Sequence, residues 1–215
     1  VPFIATAGEL SAWRNERYAV RPHFDAAPLF LVERACARWF GVRPFAVHVN
    51  GCVPGGSERR LWFARRSATK AIDPGMFDTL VGGGIAERDS VAESLLREAW
   101  EEAGIDEALA RTAEAAGQVG IEHHAPDGLQ RETIFVYDLA LPKAFVPSNK
   151  DGEVSEHRLL DTRAAAELIA RAQGDDVATL DACVVTFDHL LRHDHWALSD
   201  AERAELAGLC RRTPT

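Results

Sequence analysis

The chain has 215 residues, with 24 Lys or Arg against 33 Asp or Glu and a formal net charge of −9. This length suits one domain with a short extension, and 47% hydrophobic and 27% charged residues are typical of a globular protein. The acid excess argues against binding to nucleic-acid polymers, which requires a basic surface. Small phosphate compounds stay open, because clustered carboxylates can hold the divalent cations that bind phosphate.

Neither a membrane span nor a disulfide framework is expected. No apolar run reaches the ~18 residues of a transmembrane helix, and the first residues lack the basic start and apolar stretch of a secretory signal. The cysteines form no CxxC pair, so a zinc ribbon is not indicated. We expect reduced thiols in a cytoplasmic protein. The cysteines are Cys36, Cys52, Cys183 and Cys210.

The first half of the chain mixes helical and strand patterns. Residues 28–40 place apolar and charged residues at helical spacing before Gly41, which predicts a helix that ends there. Residues 44–53 and 59–67 predict two strands joined by a Pro-Gly-Gly-Ser turn. Residues 80–84 predict a further strand that ends in glycines.

The second half predicts three strands followed by three helices. The strands are expected at residues 117–124, 131–141 and 153–160. The helices are expected at residues 162–172, 176–193 and 199–211. Because strands and helices are mixed without regular βαβ alternation, we predict an α/β protein, an α/β/α sandwich with a mixed β-sheet.

The segment from residue 85 to residue 105 is rich in glutamate and in good helix formers. Ser90 and Glu93 have the spacing of a capping box, and Gly104 is the residue expected after the last helical turn. The spacing therefore predicts a helix of about four turns.

Three carboxylates of this helix, Glu98, Glu101 and Glu102, share one face because they lie within four residues of one another. Like charges at these spacings destabilise an isolated helix, so we expect a cation among them. Ligands that are all oxygen favour Mg²⁺ or Mn²⁺. The alternative is a solvated acidic face on which Arg97 pairs with Glu93.

Three glycines, Gly82, Gly83 and Gly84, end the strand that precedes this helix. Glycine allows the backbone to approach a ligand closely or to adopt a positive φ. A strand, a glycine run and a carboxylate helix in succession indicate metal-bound diphosphate chemistry.

The spacing of these residues resembles the Nudix box, G-x5-E-x7-R-E-U-x-E-E-x-G-U. One position departs from it: Asp89 stands where the family has Glu, which keeps the charge on a shorter side chain, and Glu87 lies two residues away. On this pattern the sequence is identified as a member of the Nudix hydrolase superfamily. The matching residues are Gly83, Arg97, Glu98, Glu101, Glu102, Gly104 and Ile105.

The resemblance implies a Nudix fold and hydrolysis of a diphosphate linked to another moiety, with Mg²⁺ or Mn²⁺ as cofactor. It assigns the metal ligands to Glu98, Glu101 and Glu102, with Gly83 supplying a backbone carbonyl or a close approach to the metal. Arg97 is expected to orient a glutamate through a salt bridge. The general base is left open between a box glutamate and a residue from a distant loop.

Residues outside the box add candidates for this chemistry. Arg65 and Lys70 can bind the diphosphate or form a solvated strand end. Adjacent strand residues face opposite ways, so at most one of Arg65 and Arg66 is expected to reach a substrate. Gly84 is expected to approach the substrate through its backbone. Glu153 can be an extra metal ligand, the base, or a solvated acid of a turn.

Five further segments resemble the Nudix branch associated with thiamine pyrophosphokinase in fungi and plants. Membership of that branch implies conversion of thiamine diphosphate, or of its oxy and oxo forms, to the monophosphate. The branch has a larger region before the Nudix fold, so residues 1–41 are expected to be a shortened extension, residues 42–200 the Nudix domain and residues 201–215 a C-terminal helix. The segments are residues 32–35, 45–51, 61–70, 74–84 and 146–154.

Three other functions stay open at this point. They are a broader nucleoside-diphosphate-X hydrolase for compounds such as ADP-ribose or NADH, an isomerase and a non-catalytic Nudix-like binding module. An isomerase needs a Cys or Glu for proton transfer, and Cys52 is the nearby thiol. The Nudix box is expected to contact the diphosphate and not the attached group, so it does not exclude a nucleoside-diphosphate-X hydrolase. The expected partner is a small-molecule diphosphate, with no nucleic-acid polymer and no membrane, and a homodimer is left open.

Other side chains are secondary candidates. His189 and His193 have the spacing of a transition-metal pair, although a surface or capping role is the expectation. His48 and Asn50 share a strand face and can contact a substrate ring or form a structural pair. Asp78 can orient a base or cap a turn. The tryptophans that can stack on a ring or pack in the core are Trp39, Trp62, Trp100 and Trp196.

Overall fold

The structure, a computed structural model, describes residue 13 and residues 15–55, 58–126, 128–193 and 198–210. Its strands are β1 (Arg17–Val20), β2 (Phe30–Glu33), β3 (Phe45–Gly55), β4 (Glu58–Arg66), β5 (Phe77–Thr79), β6 (Val81–Gly84), β7 (Glu114–Ala125), β8 (Gly128–Ala140) and β9 (Val154–Asp161). Its α-helices are α1 (Ala37–Phe40), α2 (Val91–Ala103), α3 (Glu107–Ala110), α4 (Thr162–Ile169), α5 (Leu180–Arg192) and α6 (Asp200–Cys210).

Seven of the strands form one mixed sheet. Its order is β5-β4-β3-β8-β7, with β6 also paired to β3 and β9 also paired to β4. Strands β3 and β8 are parallel, whereas the other described pairs of this sheet are antiparallel. Strand β3 pairs with the glycine strand β6 through residues 46–49 and with β4 through residues 51–55. The glycine run is therefore held next to the centre of the sheet.

Helices cover both faces of this sheet. Val47 and Val49 of β3 pack in one core cluster with Leu95 of α2. Cys52 packs in another cluster with residues of α4 and α5, including Ala165. Odd and even residues of one strand thus face different helical layers, as strand geometry requires. The α/β/α sandwich predicted from the sequence is confirmed.

The helix predicted over residues 28–40 is wrong in its first half. Phe30–Glu33 form strand β2, Arg34–Cys36 form a 3₁₀ turn, and only Ala37–Phe40 are α-helical. Strand β2 pairs with β1, so a partner strand earlier in the chain overrides the local helical spacing. Gly41 ends the helix as predicted, with a left-handed φ of 59°.

The helix predicted after Ser90 is confirmed with its caps. The Glu93 N–H donates to Ser90 Oγ at 3.2 Å, and the Ser90 N–H donates to Glu93 Oε2 at 2.8 Å. Gly104 follows the helix with a φ of 64°. No helix in the described part of the chain is long and apolar enough to cross a membrane.

Candidate active site

Helix α2 and the glycine strand β6 are in direct contact through two carboxylates. The Gly82 N–H donates to Glu102 Oε2 at 2.8 Å. A β-carbon on Gly83 would lie 2.3 Å from the Cδ of Glu98. Two successive turns of the helix therefore place their carboxylates against the backbone of β6, which is the close approach that glycine permits.

Arg97 of α2 bridges three carboxylates, two on the same helix and one in the segment just before it. Its Nη1 donates to Glu98 Oε1 at 2.7 Å and to Glu101 Oε2 at 3.4 Å. Its Nη2 donates to Asp89 Oδ2 at 3.3 Å. Asp89 thus belongs to this cluster despite its shorter side chain, whereas Glu87 forms an ion pair with Arg17 at 2.9 Å.

The carboxylates of the box helix are crowded and partly removed from water. Burial raises the pKa of Glu98, and Arg97 offsets this only in part. Burial, and then the charge of Glu98, raise the pKa of Glu102 well above its usual range. A cation near these groups would favour their ionised forms. The all-oxygen donor set fits a hard divalent cation such as Mg²⁺ or Mn²⁺.

A cavity opens beside these carboxylates, and we call it the box cavity. Lys70 and Glu153, which are far apart in the sequence, both line it and form an ion pair with each other. The side chain of Glu102 does not line it, because it is directed to the Gly82 N–H. The other lining residues are Glu16, Arg34, Gly82, Gly83, Ala86, Asp89, Arg97, Glu98, Glu101 and Asp151.

A second cavity, the inner cleft, adjoins the box cavity. Arg34, Lys70, Gly82 and Gly83 line both, so these four residues form the boundary between them. Two of the four are cations. The boundary is therefore suited to bind an anion whose remaining atoms extend into the inner cleft. Polar side chains that line the cleft beyond this boundary are Tyr18, Arg38, His48, Arg66, Asp78, Gln130, Arg131, Glu132 and Asp181.

The structure separates the two adjacent arginines of β4. Arg65 pairs with Glu156 at 2.9 Å, lies over the ring of Phe77 and lines neither cavity. Arg66 lines the inner cleft and donates to Asp78 Oδ2 at 2.9 Å. The expectation that at most one of them reaches the site agrees with this geometry, but Arg66 is the one that does.

His48 and Asn50 also have different environments. His48 lines the inner cleft, with its Nδ1 2.9 Å from Thr79 Oγ1. The Thr79 hydroxyl donates to the Val81 carbonyl, so His48 Nδ1 is the donor in the first contact. Asn50 instead donates to Asp138 at 3.0 Å. The candidates Trp39, Trp62 and Trp100 line neither cavity, and Trp196 lies outside the described residues.

Several residues of the inner cleft were not found from the sequence. Arg34 lies in a segment whose spacing predicted one helix, and Asp181 lies in the first turn of another helix. Gln130 and Glu132 share one face of β8, and the continuous polar run Gln-Arg-Glu-Thr on a central strand was the available signal. Asp78, a secondary candidate from the sequence, does line this cleft.

Cys52, Asp138 and His189 form a separate cluster whose potential ligand atoms lie within 4.8 Å of one another. Arg192 donates to both oxygens of Asp138, at 2.6 and 3.1 Å, and His189 Nδ1 lies 3.0 Å from Asp138 Oδ1. Burial and the charge of Asp138 raise the pKa of Cys52 to about 12, so its thiol keeps its proton. Arg192 already contacts both oxygens of Asp138, so we interpret the cluster as a structural hydrogen-bond network.

His193 belongs to the same network. Its Nε2 lies 3.1 Å from Asp138 Oδ2. The spacing of His189 and His193 thus places both imidazoles on one buried carboxylate, in agreement with the structural role that we expected for them. Cys52 is engaged in this network and lines neither cavity, so it is not placed for the proton transfer of an isomerase.

The sequence is similar to known families and proteins. The sequence matches the family described as "NUDIX domain" over residues 44–183 and the family described as "Domain of unknown function (DUF4743)" over residues 5–44. It is 39% identical over 194 residues to "Nudix hydrolase 24, chloroplastic" from Arabidopsis thaliana, covering 90% of this chain and 52% of the relative. It is also 37% identical over 193 residues to "Nudix hydrolase 20, chloroplastic" from the same plant, covering 90% of this chain and 51% of that relative.

The chain spans about half the length of these curated relatives. The fold is shared with the crystal structure of DR0079 from Deinococcus radiodurans, with a TM-score of 0.61 and 22% identity over 80% of this chain and 97% of that one. The box carboxylates, the glycine strand and a family match over more than half of the chain lead to one assignment. The protein belongs to the NUDIX domain family.

Proposed function

We propose that this protein is a Nudix pyrophosphohydrolase that requires Mg²⁺ or Mn²⁺ and cleaves a small organic diphosphate. The observation that carries the proposal is the cluster of Glu98, Glu101 and Asp89 around Arg97, beside a cavity bordered by Lys70 and Arg34. Carboxylates that can hold a divalent cation and basic groups that can contact a phosphate thus line the same cavity. Glu98, Glu101 and Glu102 would hold the metal, with Gly83 close to it.

Each residue has a distinct task in this reaction. A cation held by Glu98, Glu101 and Glu102 would neutralise the diphosphate and lower the pKa of a coordinated water. Arg97 fixes the orientations of Glu98 and Glu101, while Lys70 and the backbone of Gly83 and Gly84 position the phosphates. Glu153, which Lys70 holds at the cavity, accepts a proton from the attacking water. Arg65 has no part in the proposal, because it lies outside both cavities.

We further propose that the substrate is thiamine diphosphate or an oxidised analogue, which is cleaved to the monophosphate. Each of the five segments that resemble the thiamine-associated branch contributes to the two cavities. A resemblance that reflected only the shared fold would not be expected to place residues of every segment at these cavities. The contributing residues include Arg34, His48, Lys70, Asp78 and Glu153.

The organisation of the chain is part of this proposal. We propose that residues 1–41 form an extension, residues 42–200 the catalytic domain and residues 201–215 a C-terminal helix. A cytoplasmic location stays a prediction, and the two plant relatives are named as chloroplastic.

A substrate panel tests the proposal. The purified protein with Mg²⁺ is given thiamine, oxythiamine and oxothiamine diphosphates, ADP-ribose, NADH, dinucleoside polyphosphates and 8-oxo-dGTP, and monophosphate products are quantified. We expect the highest kcat/KM for one of the thiamine compounds. A preference for ADP-ribose would contradict the substrate assignment, and absence of cleavage across the panel would contradict the enzyme assignment.

A further inference from the structure

Two polar side chains lie against one face of the glycine strand β6. A β-carbon on Gly82 would lie 3.2 Å from His48 Nε2. A β-carbon on Gly84 would collide with Tyr18 Oη. Alternate residues of a strand face the same side, so Gly82 and Gly84 share this face, and Gly83, which contacts the box helix, faces the other. The two polar side chains therefore lie over strand positions that are about 7 Å apart.

Both side chains are buried except where they reach the inner cleft. Tyr18 is 6% exposed and His48 is 3% exposed, and both line that cleft. Within the part of the chain that the structure describes, neither the Tyr18 hydroxyl nor His48 Nε2 has a hydrogen-bond partner. A buried polar group without a partner costs free energy, and a ligand in the cleft can supply the missing hydrogen bond.

The packing around each side chain fixes its position. The ring of Tyr18 packs in a core cluster with Val32, and the guanidinium of Arg34 lies 5.8 Å from its centroid. His48 Nδ1 donates to Thr79 Oγ1 at 2.9 Å. The neutral imidazole therefore has its lone pair on Nε2. The cleft thus presents a hydroxyl donor and an imidazole acceptor at defined positions.

We propose that Tyr18 and His48 determine substrate specificity by hydrogen-bonding to the organic group of the diphosphate. This inference rests on the proposed function. An organic group with an acceptor for the Tyr18 hydroxyl and an N–H or O–H donor for His48 Nε2 would satisfy both residues. A hydrocarbon group would leave both buried without a partner, so the cleft selects diphosphates of polar organic compounds over aliphatic diphosphates.

The position of the pair relative to the boundary agrees with this role. Gly82 lines both cavities, and His48 lies directly over it. A substrate with its diphosphate at the boundary would place the first atoms of its organic group next to His48 and Tyr18. The glycine run then has two functions. Gly83 admits a box carboxylate on one face, and Gly82 and Gly84 admit the two recognition groups on the other.

Tyr18→Phe tests the hydroxyl alone, because the ring is kept. Tyr137→Phe is the matched control, since the second of the two tyrosines in the chain lines neither cavity. Titration calorimetry with thiamine monophosphate, AMP and n-butyl phosphate measures binding without hydrolysis. We expect the wild type to bind at least one of the two polar monophosphates more tightly than n-butyl phosphate. Tyr18→Phe should weaken that binding by about tenfold, and the control should match the wild type.

Two substitutions of His48 separate recognition from structural support. His48→Asn keeps an N–H close to Thr79 but has no group at the position of Nε2, whereas His48→Gln extends its amide toward that position. We expect His48→Gln to retain more of the binding of the polar monophosphate than His48→Asn. The reverse order would show that His48 acts only through Thr79 and would overturn its role in recognition.

Kinetics add a further readout, with n-butyl diphosphate and with the diphosphate of highest kcat/KM in the substrate panel. For the panel substrate, kcat/KM should fall by about tenfold in Tyr18→Phe and in His48→Asn, and the loss should be several-fold smaller for n-butyl diphosphate. Equal losses with both substrates would overturn the inference, as would wild-type binding of n-butyl phosphate as tight as that of the polar monophosphates. Binding that depends on the Tyr18 hydroxyl, without cleavage of any diphosphate, would contradict only the proposed hydrolysis.

Discussion

Gly83 and Glu98 lie so close together that no other residue type fits at position 83 without displacing the carboxylate. A β-carbon there would lie 2.3 Å from the Cδ and 2.4 Å from the Oε1 of Glu98. The neighbouring glycines are similarly confined: a β-carbon on Gly82 would lie 2.7 Å from His48 Cε1, and one on Gly84 would lie 2.1 Å from Tyr18 Oη. The glycine run thus sets the positions of three cavity side chains.

Gly83→Ala is expected to lower kcat/KM by about tenfold or more, because a small displacement of a positioned group has effects of this size. The fold should persist, since the added methyl contacts a side chain rather than the backbone. Gly208→Ala is the control, because a β-carbon added to that glycine of α6 would meet no described atom within 4 Å. Full activity of Gly83→Ala would show that Glu98 can move without consequence.

Replacement of Arg97 by lysine should impair metal binding. A single ammonium cannot replace the planar fork that contacts Glu98, Glu101 and Asp89. We expect Arg97→Lys to lower the affinity for Mn²⁺ by about tenfold, the usual effect of removing a group that orients metal ligands. Isothermal titration with Mn²⁺ measures it. Arg111→Lys, which alters an exposed pair with Glu107, should leave the affinity unchanged, and the same behaviour in Arg97→Lys would contradict the orienting role.

Asp138 is expected to stabilise the fold without a metal. Burial opposes its ionisation, but hydrogen bonds from His189 and Arg192 outweigh this and hold its pKa well below the usual range. Asp138→Asn should cost about 3 kcal/mol in urea unfolding at pH 7, as is typical when one partner of a buried ion pair is removed. Glu122→Gln, in a more exposed pair with Arg131, should cost less than about 1 kcal/mol.

The pH dependence of this effect has a defined sign. Because the folded pKa of Asp138 is depressed, its contribution is present above the unfolded pKa and is lost as the pH falls. The wild type and Asp138→Asn should therefore differ in stability above about pH 4 and converge below it. A difference that grows on acidification would contradict the interpretation, as would strong stabilisation of the wild type by added Zn²⁺.

The box helix could be predicted in detail because its signals are local. The cap at Ser90, the end at Gly104 and the shared face of Glu98 and Glu102 all follow from spacings within one helix. The α/β/α layering was predictable for a related reason. Hydrophobic periodicity reports which side of each element is buried, even when the partner is unknown.

The inner cleft could not be predicted, because its residues meet only through long-range pairing. Arg34 reaches it because β2 pairs with β1 instead of continuing a helix. Glu132 and Asp181 come together because α5 packs against the sheet that contains β8. The sequence named Arg65, whereas Arg66 is the one that lines the inner cleft. Strand alternation separates two neighbours without indicating which of them faces a cavity.

The carboxylate of Glu98 provides the most direct test of metal-dependent catalysis by the box helix. Glu98→Gln keeps the shape of the side chain and removes its charge, and Glu107→Gln on the exposed surface of α3 is the matched control. The monophosphate product is quantified at a series of Mg²⁺ concentrations, and the substrate is the diphosphate with the highest kcat/KM in the substrate panel. We predict a loss of about 100-fold or more in kcat/KM, with an unchanged melting temperature and a normal control. Wild-type rates in Glu98→Gln at every Mg²⁺ concentration would contradict the role of this carboxylate.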